Sequence, residues 1–211
     1  MSRGSNRDIP GAPHDVEAIR ARIAAAFDQE DETGRRVGDA KYGVYAFFDY
    51  DGEPIYVGQT SESLRARIRR HLTNQRTDAV AMNVLDPFEV LEMAMWPLWE
   101  LEDLKLSDEE RKQRLNDAEY TVFQEVLDAS SFGAVLNEKD VVGSGTVQLP
   151  RPIRVRIIPD ELVPLRKHPD VRIARRASTI AALAKVISER NPSKGLRRTL
   201  LTQARRLERL A

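Results

Sequence analysis

The sequence predicts an α/β (α+β) domain built on a short β-hairpin. Two strand-like runs, Tyr42–Phe48 and Pro54–Gly58, flank the turn Asp49-Tyr50-Asp51-Gly52, whose glycine can take positive φ. Helical patterns precede and follow this hairpin, and 41% of the 211 residues are hydrophobic, which is enough to form a substantial core. There is no cysteine, which excludes disulfides and thiolate zinc sites.

The helices are predicted from apolar residues at helical spacing. Asp15–Glu30 and Glu62–Leu72 each carry such residues on one face. Ser107 and Glu110 match a capping box, which predicts a helix from this point to about Ala129. The other expected elements are strands at Phe88–Leu98 and Arg151–Ile158, and basic amphipathic helices at Val171–Arg190 and Gly195–Leu210.

Alternation along the hairpin predicts which strand residues share a face. In the first strand, Val44 and its alternate neighbours form an aliphatic face opposite Tyr45. In the second strand, Ile55 and Val57 point one way and Tyr56 points the other. If the aliphatic residues of both strands share one core, the two tyrosines lie together on the opposite face of the hairpin.

A basic helix follows the hairpin directly. Arg67 and His71 are four residues apart in the predicted helix Glu62–Leu72, so they lie on one helical face. Because only a few residues separate this helix from the second strand, it must pack near the end of that strand. Two phenols, a guanidinium and an imidazole can therefore converge, and this combination favours an anion-binding site.

The stretch resembles the GIY-YIG nuclease family. Gly43-Val44-Tyr45 stands for the first triplet and Tyr56-Val57-Gly58 for the second, while Arg67 and His71 fit the arginine and histidine of the helix that follows in the family. The similarity covers about Tyr42–Asp140 and implies a small three-stranded antiparallel sheet flanked by helices. We expect a stand-alone member that is similar to restriction endonucleases.

The resemblance also implies a glutamate on a later helix and an asparagine after it. Glu119 and Asn137 match these positions, and Glu125 is the rival glutamate. Periodicity favours Glu119, because apolar residues follow it at helical spacing and place it beside the core, whereas Glu125 has Asp128 three positions on and looks solvated.

The activity implied by the resemblance is hydrolysis of phosphodiester bonds with Mg²⁺ (or Mn²⁺), one ion per active site. Glu119 would be the metal ligand, since hard cations prefer oxygen ligands. Arg67 would hold the phosphate with its planar donor fork, and Tyr45 would act as general base on the attacking water. The remaining site residues would be Tyr56 and His71, which orient water and phosphate, and Asn137, which braces the site.

The neutral total charge hides an asymmetry. Residues 151–211 contain 16 Lys and Arg and 5 Asp and Glu, a net charge of +11. The whole chain has 33 groups of each sign, so residues 1–150 contain 17 basic and 28 acidic residues, a net charge of −11. This split predicts a basic module for a polyanion, and the resemblance to nucleases implies that the polyanion is double-stranded DNA. The alternative is that the two halves attract each other.

The expected organisation is an N-terminal tail and helix (1–40), a nuclease domain (41–140) and a basic extension that binds DNA (141–211). The expected DNA contacts are all arginines: Arg69, Arg70, Arg154, Arg156, Arg172, Arg175, Arg176, Arg197 and Arg198, with Arg151, Arg205 and Arg206 as further candidates.

The expected role is a compact cytoplasmic endonuclease of restriction or defence type. The N-terminus is polar, and no apolar run approaches the roughly 18 residues of a membrane span. The lack of cysteine argues against resolvases with a cysteine-rich zinc module. Three alternatives stay open: a catalytically weak or inactive binding module of the same fold, a DNA repair or recombination nuclease, and an RNA nuclease. Cutting both strands needs two sites or two events, which is compatible with a homodimer.

Overall fold

The chain forms one four-stranded antiparallel sheet with helices on both faces. A computed structural model describes residues 14–72, 86–137, 141, 145–189 and 194–211. The strands, in the order β2-β1-β3-β4, are β1 (Gly43–Phe48), β2 (Pro54–Thr60), β3 (Glu92–Pro97) and β4 (Ile153–Arg156). The predicted α/β class and the hairpin are confirmed. The sheet has one strand more than the resemblance implies, because the alternating segment near Arg154 pairs with β3.

The described helices agree with the sequence periodicity to within a few residues. The long helix that begins at Asp108 has the predicted capping box: Ser107 Oγ accepts a hydrogen bond from Glu110 N at 3.2 Å, and Ser107 N donates to the Glu110 carboxylate at 2.8 Å. The helices are α1 (His14–Phe27), α2 (Leu64–Leu72), α3 (Glu100–Asp103), α4 (Asp108–Ala129), α5 (Val163–Lys167), α6 (Pro169–Glu189) and α7 (Lys194–Glu208), with 3-10 turns at Val37–Asp39, Pro87–Glu89 and Asp160–Leu162.

Each face of the sheet has its own core. Val44 and Val57 pack with Val122 of α4 on one face. Tyr45 packs with Ile68 of α2 on the other face, together with residues of α1, α6 and α7. The two tyrosines of the hairpin therefore share a face, as the alternation predicts, and this face is covered by helices.

One strand residue departs from the alternation. Phe47 pairs with Tyr56 and Phe48 with Pro54, so the register shifts between them and Ile55 is an extra residue in β2. Ile55 therefore joins the core on the Tyr45 face. The prediction that Ile55 shares the face of Val57 is wrong, because the irregularity reverses the side-chain direction at this point.

The C-terminal region is part of the same core. β4 adds a strand to the sheet, and Leu183 of α6 and Leu196 of α7 are buried beside β1 and α2 residues. Residues 141–211, predicted as a basic extension, thus contribute a strand and two long helices to the folded body. None of the helices in the described parts of the chain is long and apolar enough to cross a membrane.

Candidate active site

The residues of interest meet at an edge of the sheet. β2 is an edge strand, with α2 packed on the Tyr45 face and α4 on the opposite face. Side chains from both faces can therefore reach around the end of β2 that leads into α2. We call this region the active-site edge; it comprises Tyr45, Tyr56, Arg67, His71 and Glu119.

Tyr45 is the centre of a hydrogen-bonded group. Its hydroxyl lies 2.8 Å from His71 Nε2, and Arg67 Nε donates to the same hydroxyl at 3.3 Å. Since a guanidinium only donates, the phenol oxygen accepts from Arg67 and can direct its own hydrogen to His71 in the tautomer whose Nε2 is bare. Tyr45 and His71 are both buried, whereas Arg67 is half-buried.

Tyr56 completes an aromatic cluster around this group. Its ring centroid lies 5.0 Å from that of His71 and 6.0 Å from that of Tyr45. Unlike Tyr45, Tyr56 is partly exposed. The structure thus brings together four of the six predicted site residues, with Tyr56 nearer to solvent.

The glycine of the second triplet has a packing role. A Cβ on Gly58 would lie 2.6 Å from Tyr56 Cε1 and 2.8 Å from Tyr45 Oη. Both distances are too short for real atoms, so a side chain here would displace the two tyrosines. Gly43 is equally constrained, since its Cβ would lie 2.9 Å from Leu64 Cδ1 at the start of α2.

Glu119 approaches from the α4 side of the sheet. It is half-buried, and burial raises its pKa to about 7, although the positive charge of Arg67 and a hydrogen bond with Gln59 act in the opposite direction. Arg67 therefore interacts with groups on both faces of the sheet, since it also donates a hydrogen bond to Tyr45. The rival Glu125 is exposed to solvent, so the geometry favours Glu119 over Glu125 for the site.

Asn137 lies behind the site and does not face it. Its side chain accepts a hydrogen bond from Val57 N at 3.0 Å and donates to Val57 O at 2.8 Å. Both partners belong to the outer side of an edge strand, where backbone groups otherwise lack a strand partner. Asn137 thus holds β2 in place between Tyr56 and Gly58.

The described residues fit a metal held by few protein ligands. No group of three or more His, Asp or Glu side chains comes together within these parts of the chain. Glu119 is a single carboxylate in a poorly solvated position, and this burial raises its pKa although the charge of Arg67 opposes the shift. One carboxylate with waters and substrate oxygens is a donor set that suits Mg²⁺ or Mn²⁺.

The family comparison agrees with this geometry. Residues 41–116 match the family model of the GIY-YIG catalytic domain. This match supports membership of the GIY-YIG nuclease superfamily. The match spans about a third of the chain, includes both triplets with Arg67 and His71, and ends before Glu119. GIY-YIG nucleases generally use divalent metal ions. Comparisons with curated proteins and with solved structures gave no match.

Two amides beside Glu119 were not predicted from the sequence. Gln59 Nε2 donates to Asn116 Oδ1 at 2.8 Å, next to Glu119. Both could have been predicted from spacing. Gln59 lies two residues after Val57 and therefore on the α4 face of β2. Asn116 precedes Glu119 by three residues, so the two share one helical face.

Two arginines predicted to contact DNA are buried in the protein. Arg172 and Arg176 of α6 are 1% and 3% exposed. Arg172 pairs with Asp51 at 2.8 Å and Arg176 with Asp49 at 2.8 Å. The prediction of DNA contacts is wrong for these two residues, because carboxylates at the far end of the β1–β2 hairpin already surround them.

A third buried arginine extends this network. Arg206 of α7 is 2% exposed, donates to Pro54 O at 3.0 Å and lies 3.8 Å from the Glu53 carboxylate. It too cannot contact DNA in this state. We call this network the anchor cluster; its members are Asp49, Asp51, Glu53, Glu89, Arg172, Arg176 and Arg206.

The other arginines predicted to contact DNA are accessible to different degrees. Arg175 forms two 2.8 Å hydrogen bonds with Asp86. Arg154 lies 3.5 Å from Glu92, and Arg70 pairs with Glu62. Exposed positions are held by Arg69, Arg151, Arg156, Arg197, Arg198 and Arg205. The basic surface is therefore smaller than the charge count of the C-terminal region indicates.

Proposed function

We propose that the protein is a Mg²⁺-dependent (or Mn²⁺-dependent) endonuclease that hydrolyses phosphodiester bonds of double-stranded DNA. The observation that carries this proposal is the hydrogen-bonded group of Tyr45, His71 and Arg67, with the half-buried Glu119 within the electrostatic reach of Arg67. Such a group combines a proton acceptor, a phosphate-binding cation and an oxygen ligand for a hard metal.

Glu119 would hold the metal ion. When bound, a divalent cation would stabilise the negative charge that develops on the scissile phosphate and on the leaving oxygen. The Gln59 amide, which hydrogen-bonds to Glu119, would fix the orientation of this carboxylate. A carboxylate with a pKa of about 7 is partly protonated near neutral pH, so metal binding would release a proton.

Tyr45 would act as the general base. Its hydroxyl proton can pass to His71 Nε2 over the 2.8 Å hydrogen bond, and Arg67 would stabilise the phenolate that results. The phenolate then takes a proton from water as the water oxygen attacks phosphorus, and the proton held by His71 is returned to the leaving oxygen or to solvent. Because Tyr45 is fully buried without substrate, water must reach it beside the partly exposed Tyr56.

Arg67 would also bind the scissile phosphate. Nε is engaged by Tyr45, and the guanidinium carries further N–H donors in a fixed fork that matches phosphate oxygens. Asn137 would brace β2 from behind through Val57. Five of the six predicted site residues thus have a role in this proposal, four of them at the reacting groups, and Tyr56 borders the path by which water enters.

The proposed biological role is restriction or defence, with the exposed arginines of α7 and β4 as phosphate contacts beyond the site. Arg197 is exposed on α7 and Arg156 on β4. Contacts to phosphates provide most of the affinity that is independent of sequence. The rival function is a binding module without activity, and the intact group around Tyr45 argues against it.

The decisive experiment is incubation with supercoiled plasmid in the presence of Mg²⁺ or Mn²⁺ and then with a chelator. We expect nicked or linear DNA only when the metal is present, and discrete bands if the enzyme recognises a sequence. Glu119→Gln should bind plasmid without cutting it, and Glu125→Gln is the matched control that should cut normally. Cleavage in chelator, or DNA binding with no cleavage under any metal, would contradict the proposal, and faster cleavage of duplex RNA would reassign the substrate.

A further inference from the structure

A cleft beside the active-site edge extends beyond the groups that the proposed chemistry uses. It has a volume of about 530 Å³ and lies between the end of β2 and the first turns of α4, with Tyr42, Gln59, Arg67, Lys112 and Asn116 in its lining. This volume is within the roughly 300 to 1,000 Å³ of small-ligand sites. Since Arg67 also bonds Tyr45, the cleft opens directly onto the reacting groups.

Two amides lie in the lining of this cleft. Gln59 Nε2 donates to Asn116 Oδ1 at 2.8 Å. Gln59 Oε1 is buried and accepts no hydrogen bond from the described residues. A buried acceptor without a donor costs free energy, and a ligand that supplies a donor to this amide would remove that cost. The amide pair is therefore better satisfied with a polar ligand than without one.

The charges of the cleft are suited to a nucleotide. Arg111 donates to Asp108, and Arg70 pairs with Glu62, so both acidic groups of the lining are neutralised by arginines. Lys112 is exposed at the mouth of the cleft. Together with Arg67 it leaves the cleft with an excess of positive charge.

The spacing along α4 gives the position of that nucleotide. Asn116 precedes Glu119 by three residues and Lys112 precedes it by seven. With a rise of 1.5 Å per residue, these distances are about 4.5 Å and about 10 Å along the helix axis. Asn116 is thus placed for the nucleotide next to the cleaved bond, and Lys112 for a phosphate further along the strand.

We propose that this cleft binds the DNA nucleotide that flanks the cleaved bond, and that Gln59 and Asn116 read its base with a preference for adenine. The inference rests on the proposed nuclease function of the same site. Gln59 Oε1 can accept from the adenine N6 amino group, and the Asn116 amide nitrogen can donate to adenine N7. Lys112 contacts the adjoining phosphate, and the half-buried ring of Tyr42 forms one wall of the cleft.

The test is to map cut sites in a randomised duplex DNA library. With the wild-type protein, adenine should be enriched about tenfold at one position beside the cut, as expected for a two-point amide contact. Asn116→Ala should reduce this enrichment to near zero among the cuts that remain, whatever its effect on the overall rate of cleavage. Gln113→Ala removes an exposed amide from the same helix and should leave the preference unchanged. An unchanged preference in Asn116→Ala, or no preference in the wild type, would overturn the inference.

Binding measurements separate this inference from the nuclease proposal. They use Glu119→Gln, which is expected not to cut. Duplexes that this variant binds are selected from the same randomised library, and fluorescent duplexes that differ only in the base at the position enriched among them are then titrated. Lys112→Ala should lower the log–log salt slope by about 0.9, and the exposed Lys105→Ala should not change it. Suppose that the wild type never cuts but that Asn116→Ala loses adenine-dependent binding. The proposed base contact is then supported, and the proposed nuclease activity is contradicted. If the wild type cuts without preference, hydrolysis stands and the subsite does not.

Discussion

The active-site edge and the anchor cluster both contain buried or half-buried arginines, yet their surroundings differ. Arg67 donates to a neutral phenol, and the carboxyls of Glu62 and Glu119 lie within its electrostatic reach. Arg176 lies within 3.2 Å of two carboxylates, those of Asp49 and Glu89. The first arrangement leaves positive charge available for an incoming phosphate, whereas the second consumes it inside the protein.

This comparison changes the meaning of the charge asymmetry. The C-terminal region has a net charge of +11, but Arg172, Arg176 and Arg206 of this region lie among acidic groups of the β1–β2 hairpin. Attraction between the two halves, the alternative reading of the pattern, accounts for these three residues. Buried ion pairs of this kind hold α6 and α7 against the sheet, and removal of one partner leaves an uncompensated charge.

The largest expected effect compares one tyrosine from each region. Tyr45→Phe should lower kcat by about 10² to 10⁴-fold, the usual contribution of a general base, with little change in DNA affinity. Tyr50, whose pKa burial raises to about 12, donates to Phe88 O at 3.2 Å near the anchor cluster. Tyr50→Phe should cost about 1 kcal/mol of unfolding free energy and leave kcat unchanged. Single-turnover cleavage measures kcat, and urea unfolding measures the unfolding free energy. A normal kcat in Tyr45→Phe would reduce Tyr45 to a packing role.

The next effect concerns metal binding and pH. Because burial raises the pKa of Glu119 to about 7, this carboxyl becomes protonated as pH falls below 7, and protonation competes with the metal. The apparent Kd for Mn²⁺ should rise about tenfold for each pH unit below 7, as measured by titration calorimetry, and Glu119→Gln should bind Mn²⁺ too weakly to be measured at any of these pH values. A Kd that is constant between pH 5 and 7 would show that Glu119 does not bind the ion.

Stability should respond to pH in a different window. Burial tends to raise the pKa of both Asp51 and Glu53. A hydrogen bond from Arg172 outweighs this effect for Asp51, and hydrogen bonds from two serines outweigh it for Glu53, so both pKa values lie below the ordinary range. These carboxyls stabilise the fold above their unfolded pKa values near 4, and this contribution is lost as pH falls further. Glu89, whose pKa burial raises, contributes with the opposite sign. Between pH 5 and 6 the protein should therefore be folded but bind metal weakly, and circular dichroism at these pH values checks this; unfolding near pH 6 would contradict it.

The smallest effect concerns the exposed arginines. Arg156 and Arg197 are accessible, so changing both to alanine should lower the log–log salt slope of DNA binding by up to roughly 1.8, about 0.9 for each lost phosphate contact. Unfolding free energy should stay within about 0.5 kcal/mol of the wild type. Fluorescence anisotropy at several salt concentrations gives the slope, and no change would place the DNA on another surface.

Sequence reasoning succeeded where local geometry decides the outcome. Strand alternation placed Tyr45 and Tyr56 on one face, and helical spacing placed Arg67 and His71 together. These relations need only the period of a strand or a helix. The helix with the capping box at Ser107 was likewise predicted from four consecutive residues.

It failed where partners are distant in the chain. Arg176 and Asp49 are separated by 127 positions, and Gln59 and Asn116 by 57. No periodicity links such residues. A basic helix whose arginines bind DNA therefore has the same sequence pattern as one whose arginines are paired with a distant acidic hairpin. The irregularity at Ile55 was missed because a strand register depends on the neighbouring strand.

One paired measurement tests the contrast between the two regions most directly: unfolding free energy and DNA cleavage for Arg67→Ala and Arg176→Ala. We expect Arg67→Ala to remain within about 1.5 kcal/mol of wild-type stability, since it loses a modest hydrogen bond, and to lose cleavage. Arg176→Ala should lose about 3–5 kcal/mol, because Asp49 and Glu89 remain buried with less compensation, while its folded fraction still cuts DNA. Wild-type stability in Arg176→Ala together with weaker DNA binding, or undiminished cleavage in Arg67→Ala, would contradict the account.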